Sequence, residues 1–155
     1  MSSLCNLTID DSLSEQETIT IGEKLAHFFL PGTVLAIKGP LGAGKTCLVK
    51  GIAKTLGIKQ EITSPTFTIA NEYEAILPSG VPVGGRLPFF HLDAYRLKGD
   101  DDFLALGGDE YFSENCITVV EWADIIKEAL PKNTEYLEIK IDKNGKRKFV
   151  LGFWE

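Results

Sequence analysis

Thr33-Val34-Leu35-Ala36-Ile37-Lys38, followed at once by Gly39-Pro40-Leu41-Gly42-Ala43-Gly44-Lys45-Thr46, decides the fold of this 155-residue chain. The first six residues are β-rich with a continuous apolar centre, Val34 to Ile37, as in a strand buried within a parallel sheet. The next eight match G-x-x-x-x-G-K-[ST] at every fixed position. Lys45 to Leu56 then reads as a helix, with Gly57 as its C′ stop. Strand, glycine-rich turn and helix in that order are the context in which this motif binds phosphate.

The chemistry explains the spelling. A polyphosphate needs many donors converging on a small volume, and successive backbone N–H groups supply them only where side chains do not intrude. Gly42 and Gly44 permit that curled backbone. The helix starting near Lys45 turns its positive end toward the anion. The motif assigns Lys45 to the β- and γ-phosphates and the Thr46 hydroxyl to Mg²⁺. Cys47, next in line, reads as a small buried residue of the same loop–helix junction rather than a reactive thiol.

A phosphate-binding loop of this kind also needs an acid to hold the metal, usually at the end of a neighbouring strand. Two apolar runs end in one: Phe89-Phe90-His91-Leu92-Asp93 and Ile117-Thr118-Val119-Val120-Glu121. With right-handed parallel crossovers, both acids reach the sheet edge that carries the loop. The residues alone do not say which one acts on the metal. His91, inside a strand, reads as a packed or hydrogen-bonded core histidine. Trp122 and Tyr95, which follow the two acids, read as packing residues. Arg96 is open between a phosphate clamp and a surface ion pair.

Outward from this centre, Leu4 to Ile9 reads as a short strand. Ser12 and Ser14 each precede a Glu by three residues, the capping-box spacing, and predict an amphipathic helix to about Phe29. A strand is predicted over Phe67 to Tyr73. Leu77 to Pro88, with three Pro and three Gly, reads as an exposed connection. Asp100-Asp101-Asp102 opens a helix, and Ala123 to Leu130 is a short helix cut by Pro131. Glu135 to Ile141 and Arg147 to Phe153 flank Asn144-Gly145, a hairpin signal. The fold class is therefore α/β: a P-loop NTPase-like, mostly parallel sheet flanked by helices. Antiparallel additions include a C-terminal hairpin, and all of it forms a single domain over 1–155.

Composition bounds the function. Sixteen Lys+Arg against 22 Asp+Glu give a net charge of −6, which excludes a nucleic-acid binder working alone through general positive charge. Cys5, Cys47 and Cys116 are odd in number and form no C-x-x-C pair, so reduced thiols in a cytoplasmic protein fit best. No secretory signal and no apolar run long enough to span a bilayer is present, so no membrane role is expected.

In order along the chain, Gly39 to Thr46, Ser64-Pro65-Thr66-Phe67-Thr68, His91-Leu92-Asp93-Ala94-Tyr95-Arg96-Leu97 and Val120-Glu121-Trp122 resemble the TsaE family, small bacterial P-loop ATPases of tRNA threonylcarbamoyladenosine (t6A) synthesis. The blocks, the capped first helix and the terminal hairpin cover nearly the whole chain. The resemblance implies weak ATP hydrolysis alone and a role in driving turnover of a TsaB–TsaD transferase complex, with tRNA met only through that complex. It implies catalytic roles for Lys45, Asp93 and Glu121, with Asp93 at the γ-phosphate and Mg²⁺ held by Thr46 and Glu121. It places Ser64 and Thr66 on a switch-like loop. Glu15, Asp124 and Gly145 join the loop residues Gly39, Pro40, Leu41, Gly42, Ala43, Gly44, Lys45, Thr46 and Cys47 as nucleotide contacts.

Two rival readings remain. A small-molecule kinase needs an acceptor pocket and a lid with several arginines, whereas this chain has only Arg86, Arg96 and Arg147. The other is a nucleotide-dependent binding module without meaningful turnover, in one form a GTP switch; the sequence has no N-K-x-D guanine signature, so ATP is preferred over GTP.

Overall fold

A computed structural model of the protein describes residue 4, residues 9–65, 69–80 and 85–152, and residue 154. The strand expected over Leu4 to Ile9 and the roles expected of Thr66 and Cys5 fall largely or wholly outside these residues. The described residues form a six-stranded mixed sheet in the order β2-β3-β4-β1-β5-β6. In chain order the strands are β1 (Val34–Lys38), β2 (Ala70–Ala75), β3 (Leu87–Asp93), β4 (Ile117–Glu121), β5 (Glu135–Ile141) and β6 (Arg147–Leu151). Strands β3, β4, β1 and β5 run parallel, while β2 and β6 pair antiparallel at the two edges.

The central strands are apolar because both their faces are covered. On one face lie α1 (Glu15–Ala26) and α2 (Lys45–Thr55), which meet Leu35, Ile37, Phe89, Ile117, Val119, Leu137 and Ile139 in the larger core. On the other, α3 (Asp100–Ala105) and a 3₁₀ helix, Ala123–Ala129, cover Ala36, Leu92 and Val120. Odd-numbered residues of β3 and β4 thus face α2, which puts His91, Asp93 and Glu121 on that side.

Helix α1 starts where the sequence allowed two caps, and the structure separates their roles. Ser14 is the cap, accepting from the Glu17 amide, while the Glu17 carboxylate accepts from the Leu13 amide at 2.7 Å. Ser12 is buried. Its hydroxyl meets that of Thr18 at 2.8 Å, and its backbone bridges Arg147 at the start of β6. Helices α1 and α2 approach so closely that a Cβ on Gly51 would lie 1.9 Å from the Ile19 carbonyl oxygen.

Three boundaries differ from the sequence reading. The strand expected over Phe67 to Tyr73 lies at Ala70–Ala75, because its register is set by pairing with β3 from Ala70↔Leu92 to Ala75↔Leu87. Leu87 and Pro88 belong to β3 rather than to the preceding connection, and Leu77 and Leu87 are buried. The helix after Glu121 is 3₁₀ over Ala123–Ala129.

Candidate functional site

Strand register sets the site. Ile37 pairs with Glu121, and Glu121 pairs with Asp93, so the two acids stand in one row at the edge where β1 runs into the Gly39–Gly44 loop. Gly42 (φ +80°) and Gly44 (φ +98°) both take the left-handed backbone that curls the loop. At Gly44 the side chains of Arg147 and Thr18 stand 3.4 Å from where a Cβ would be, so the loop is also packed tightly from outside.

Lys45 is 5% exposed and donates from Nζ to the carbonyls of Gly39 (2.8 Å) and Pro40 (2.7 Å). The same ammonium lies 4.0 Å from the ring centroid of Trp122. Burial pulls its pKa down, against the opposing charges of Glu121, Asp93 and Asp124. One residue on, the Thr46 hydroxyl sits 3.0 and 3.1 Å from the two Glu121 carboxylate oxygens and 3.3 Å from the Ser64 hydroxyl. Two hydroxyls and a carboxylate converging at this range are hard oxygen donors of the kind Mg²⁺ takes when phosphates complete its shell.

Asp93 is half-buried, and its Oδ1 accepts from the Tyr95 amide at 2.9 Å. Burial raises its pKa, and the Tyr95 amide works against that shift. Behind the row, His91 is fully buried with Nε2 2.5 Å from Glu121 Oε2, the hydrogen-bonded core histidine the sequence suggested.

In front of His91, which does not line it, is a cavity of about 350 Å³; Gly39 and Pro40 also lie outside its lining. Its floor is Leu41 to Cys47. One wall is Glu15 and Thr18 of α1 with Arg147 of β6, and the other is Ser64, Asp93, Tyr95, Glu121 and Trp122. Cys47, in that floor, is partly rather than fully buried, and burial raises its pKa. Asp124 is exposed and not part of the lining, although its charge acts on Lys45. Gly145 lies at the turn of the β5–β6 hairpin (φ +82°), also outside the lining.

Four lining residues were not anticipated as site residues. Tyr95 and Trp122 follow the strand-end acids closely enough for proximity to have pointed to them. Their rings meet at a tilt of 47°, with centroids 4.8 Å apart. Trp122 has φ +55°, the one non-glycine residue with positive φ among the described residues, and this turn swings its ring over the loop. Thr18 lies one helical turn beyond Glu15. Arg147 donates from Nη2 to the Gly42 carbonyl at 3.3 Å, placed there by the pairing of β6 with β5 and by the bridge to Ser12.

Among the described residues no helix is long and apolar enough to cross a membrane. The family model described as "Threonylcarbamoyl adenosine biosynthesis protein TsaE" matches residues 12–149. A TsaE of Bacillus subtilis is 42% identical over 134 residues, covering 86% of this chain and 77% of that protein. One from Treponema pallidum is 36% identical over 140 residues, covering 90% and 96%. The crystal structure of B. subtilis YdiB superimposes with a TM-score of 0.71 at 37% identity, covering 92% of this chain and 82% of that one. A chain matched over this length, with the loop and both strand-end acids gathered at one sheet edge, belongs to the TsaE family of tRNA threonylcarbamoyladenosine biosynthesis proteins.

Proposed function

We propose that the protein binds and hydrolyses ATP with Mg²⁺ and that this turnover drives a TsaB–TsaD transferase in t6A formation. The observation that carries the reading is the convergence of the Thr46 hydroxyl, the Ser64 hydroxyl and the Glu121 carboxylate beside a curled glycine loop. The amides of that loop and of the first turn of α2 bind the phosphates. Lys45 leaves the Gly39 and Pro40 carbonyls to pair with the β- and γ-phosphates, a stronger, charge-assisted contact. Thr46 and Glu121 would hold the metal, which would supply positive charge against the phosphates.

Asp93 stands beside Glu121 on the exposed side of the row, where an attacking water would lie. A carboxylate whose pKa is raised by burial is a better proton acceptor than an ordinary one, so Asp93 orients that water and draws on its proton. Arg147, Glu15 and Thr18 form the wall on the nucleoside side. The small number of arginines leaves no lid for a second acceptor, in keeping with hydrolysis rather than phosphoryl transfer to a small molecule. The net negative charge fits a subunit that meets tRNA only through its partners.

The test is an ATPase assay with and without TsaB and TsaD. Weak hydrolysis alone and strong stimulation by the pair is the expected result. Absence of turnover in the complete mixture, or displacement of ATP by equimolar GTP, overturns it.

A further inference from the structure

His91 has a role that packing alone does not explain. Its side chain is fully buried on the α2 face of the sheet, in line with Phe89 and beside Val119, its register partner on β4. Nδ1 is buried with no hydrogen-bond partner among the described residues. Leaving such an atom unpaired costs on the order of 1–3 kcal/mol, and an apolar side chain of similar bulk would fill the place without that cost. What the imidazole adds is therefore at Nε2.

Nε2 meets Oε2 of Glu121 at 2.5 Å, and both side chains are shielded from water. A carboxylate oxygen only accepts, so Nε2 carries the hydrogen and donates, whichever protonation state the ring is in. The same carboxylate accepts from Thr46 through both oxygens. It is thus held from behind by a ring fixed in the core and faces forward to the hydroxyl. Glu121 is the last residue of β4, followed directly by the left-handed turn at Trp122, where the strand no longer fixes direction. Without a donor behind it, the carboxylate is free to turn toward other donors, Lys45 among them.

Building on the proposed metal site, we infer that His91 is a positioning residue. Its Nε2–H holds the Glu121 carboxylate in the orientation that, with Thr46, binds Mg²⁺. It touches neither nucleotide nor metal. Outer partners of this kind typically contribute 10–100-fold to metal affinity.

The test compares His91→Gln, His91→Asn and His91→Leu. The Gln amide nitrogen reaches as far as Nε2, the Asn amide stops at the level of Nδ1, and Leu has no donor. Each full-length variant is titrated with Mg²⁺ at a fixed concentration of a non-hydrolysable ATP analogue, and binding of the analogue is also measured in EDTA. In the Asn and Leu variants the half-saturating Mg²⁺ concentration should rise about 10–100-fold, with binding in EDTA unchanged. The Gln variant should titrate close to the parent. If the Leu variant does not fold, the Asn–Gln pair carries the comparison. An Asn variant that titrates like the parent overturns the inference, as does loss of binding in EDTA in step with the loss in Mg²⁺. A parent protein that binds the analogue without any dependence on Mg²⁺ overturns the metal site itself, and this inference with it.

Discussion

Asp93 and Glu121 are register partners on adjacent parallel strands, yet their carboxylates occupy different environments. Glu121 is 2% exposed and held by Thr46 and His91, whereas Asp93 is half-buried and accepts from the Tyr95 amide. Two acids of one row are thereby divided into one held from two sides and one near solvent, the division on which the proposed roles of metal ligand and proton acceptor rest.

That division gives Asp93→Asn an unusual signature. ATP hydrolysis should fall about 10²–10⁴-fold while the protein becomes more stable at neutral pH. Because the folded pKa of Asp93 lies above its unfolded value, the folded state binds the proton more readily, and stability declines as pH rises through that interval. Asn removes that decline. Thermal denaturation at neutral and acidic pH checks it: the advantage of the variant should be present at neutral pH and shrink as Asp93 of the parent becomes protonated.

Lys45→Ala should weaken ATP binding by about 10–100-fold, the equivalent of one charge-assisted contact. The ammonium rests against Trp122, so nucleotide binding that draws it away should change tryptophan emission. Measured in a Trp154→Phe background to isolate Trp122, the change should follow saturation in the parent and be absent in Lys45→Ala.

Thr46→Ala should raise the Mg²⁺ concentration needed for analogue binding, while Thr46→Ser should preserve it. Calorimetric titration of the metal separates them, and equal curves would remove Thr46 from the metal site.

Gly51→Ala should destabilise the fold by about 1–3 kcal/mol, because its Cβ meets backbone rather than a flexible side chain. The strain pushes α1 away from α2, so nucleotide affinity should fall along with the denaturation midpoint through displacement of Glu15 and Thr18.

Asp142→Ala tests the hairpin. Backbone N–H bonds from Lys146 and Asn144 lower the Asp142 pKa. Its contribution is present above the ordinary aspartate range and is lost as pH falls through the depressed folded value. The variant should lose stability at neutral pH and show a shallower acid decline in denaturation curves.

The central strand, its loop and α2 were legible in the sequence because each is specified locally, by an apolar run, fixed glycines and a helical period. Asp93 and Glu121 were legible for a related reason: an apolar run that ends in an acid marks both a strand and its edge. Ser12 and Ser14 looked equivalent because capping spacing is a local rule, and only the distant strand β6 distinguishes them. Arg147 was hidden for the same reason, since nothing near it in sequence points to Gly42. The β2 boundary was displaced because Ala70–Ala75, a half-exposed edge strand, carries little apolar alternation and takes its register from β3.

Arg147 meets the Gly42 carbonyl across 105 residues of chain, and Ser12 joins the same strand from the opposite end. A ribosome that has just released the glycine loop has therefore made a site still lacking one side. The β1 strand waits for β4 and then β5 as neighbours, and the wall that Arg147 adds to the cavity forms only when β6 emerges. The cavity is accordingly a product of the assembled sheet, and the glycine loop by itself makes only part of it.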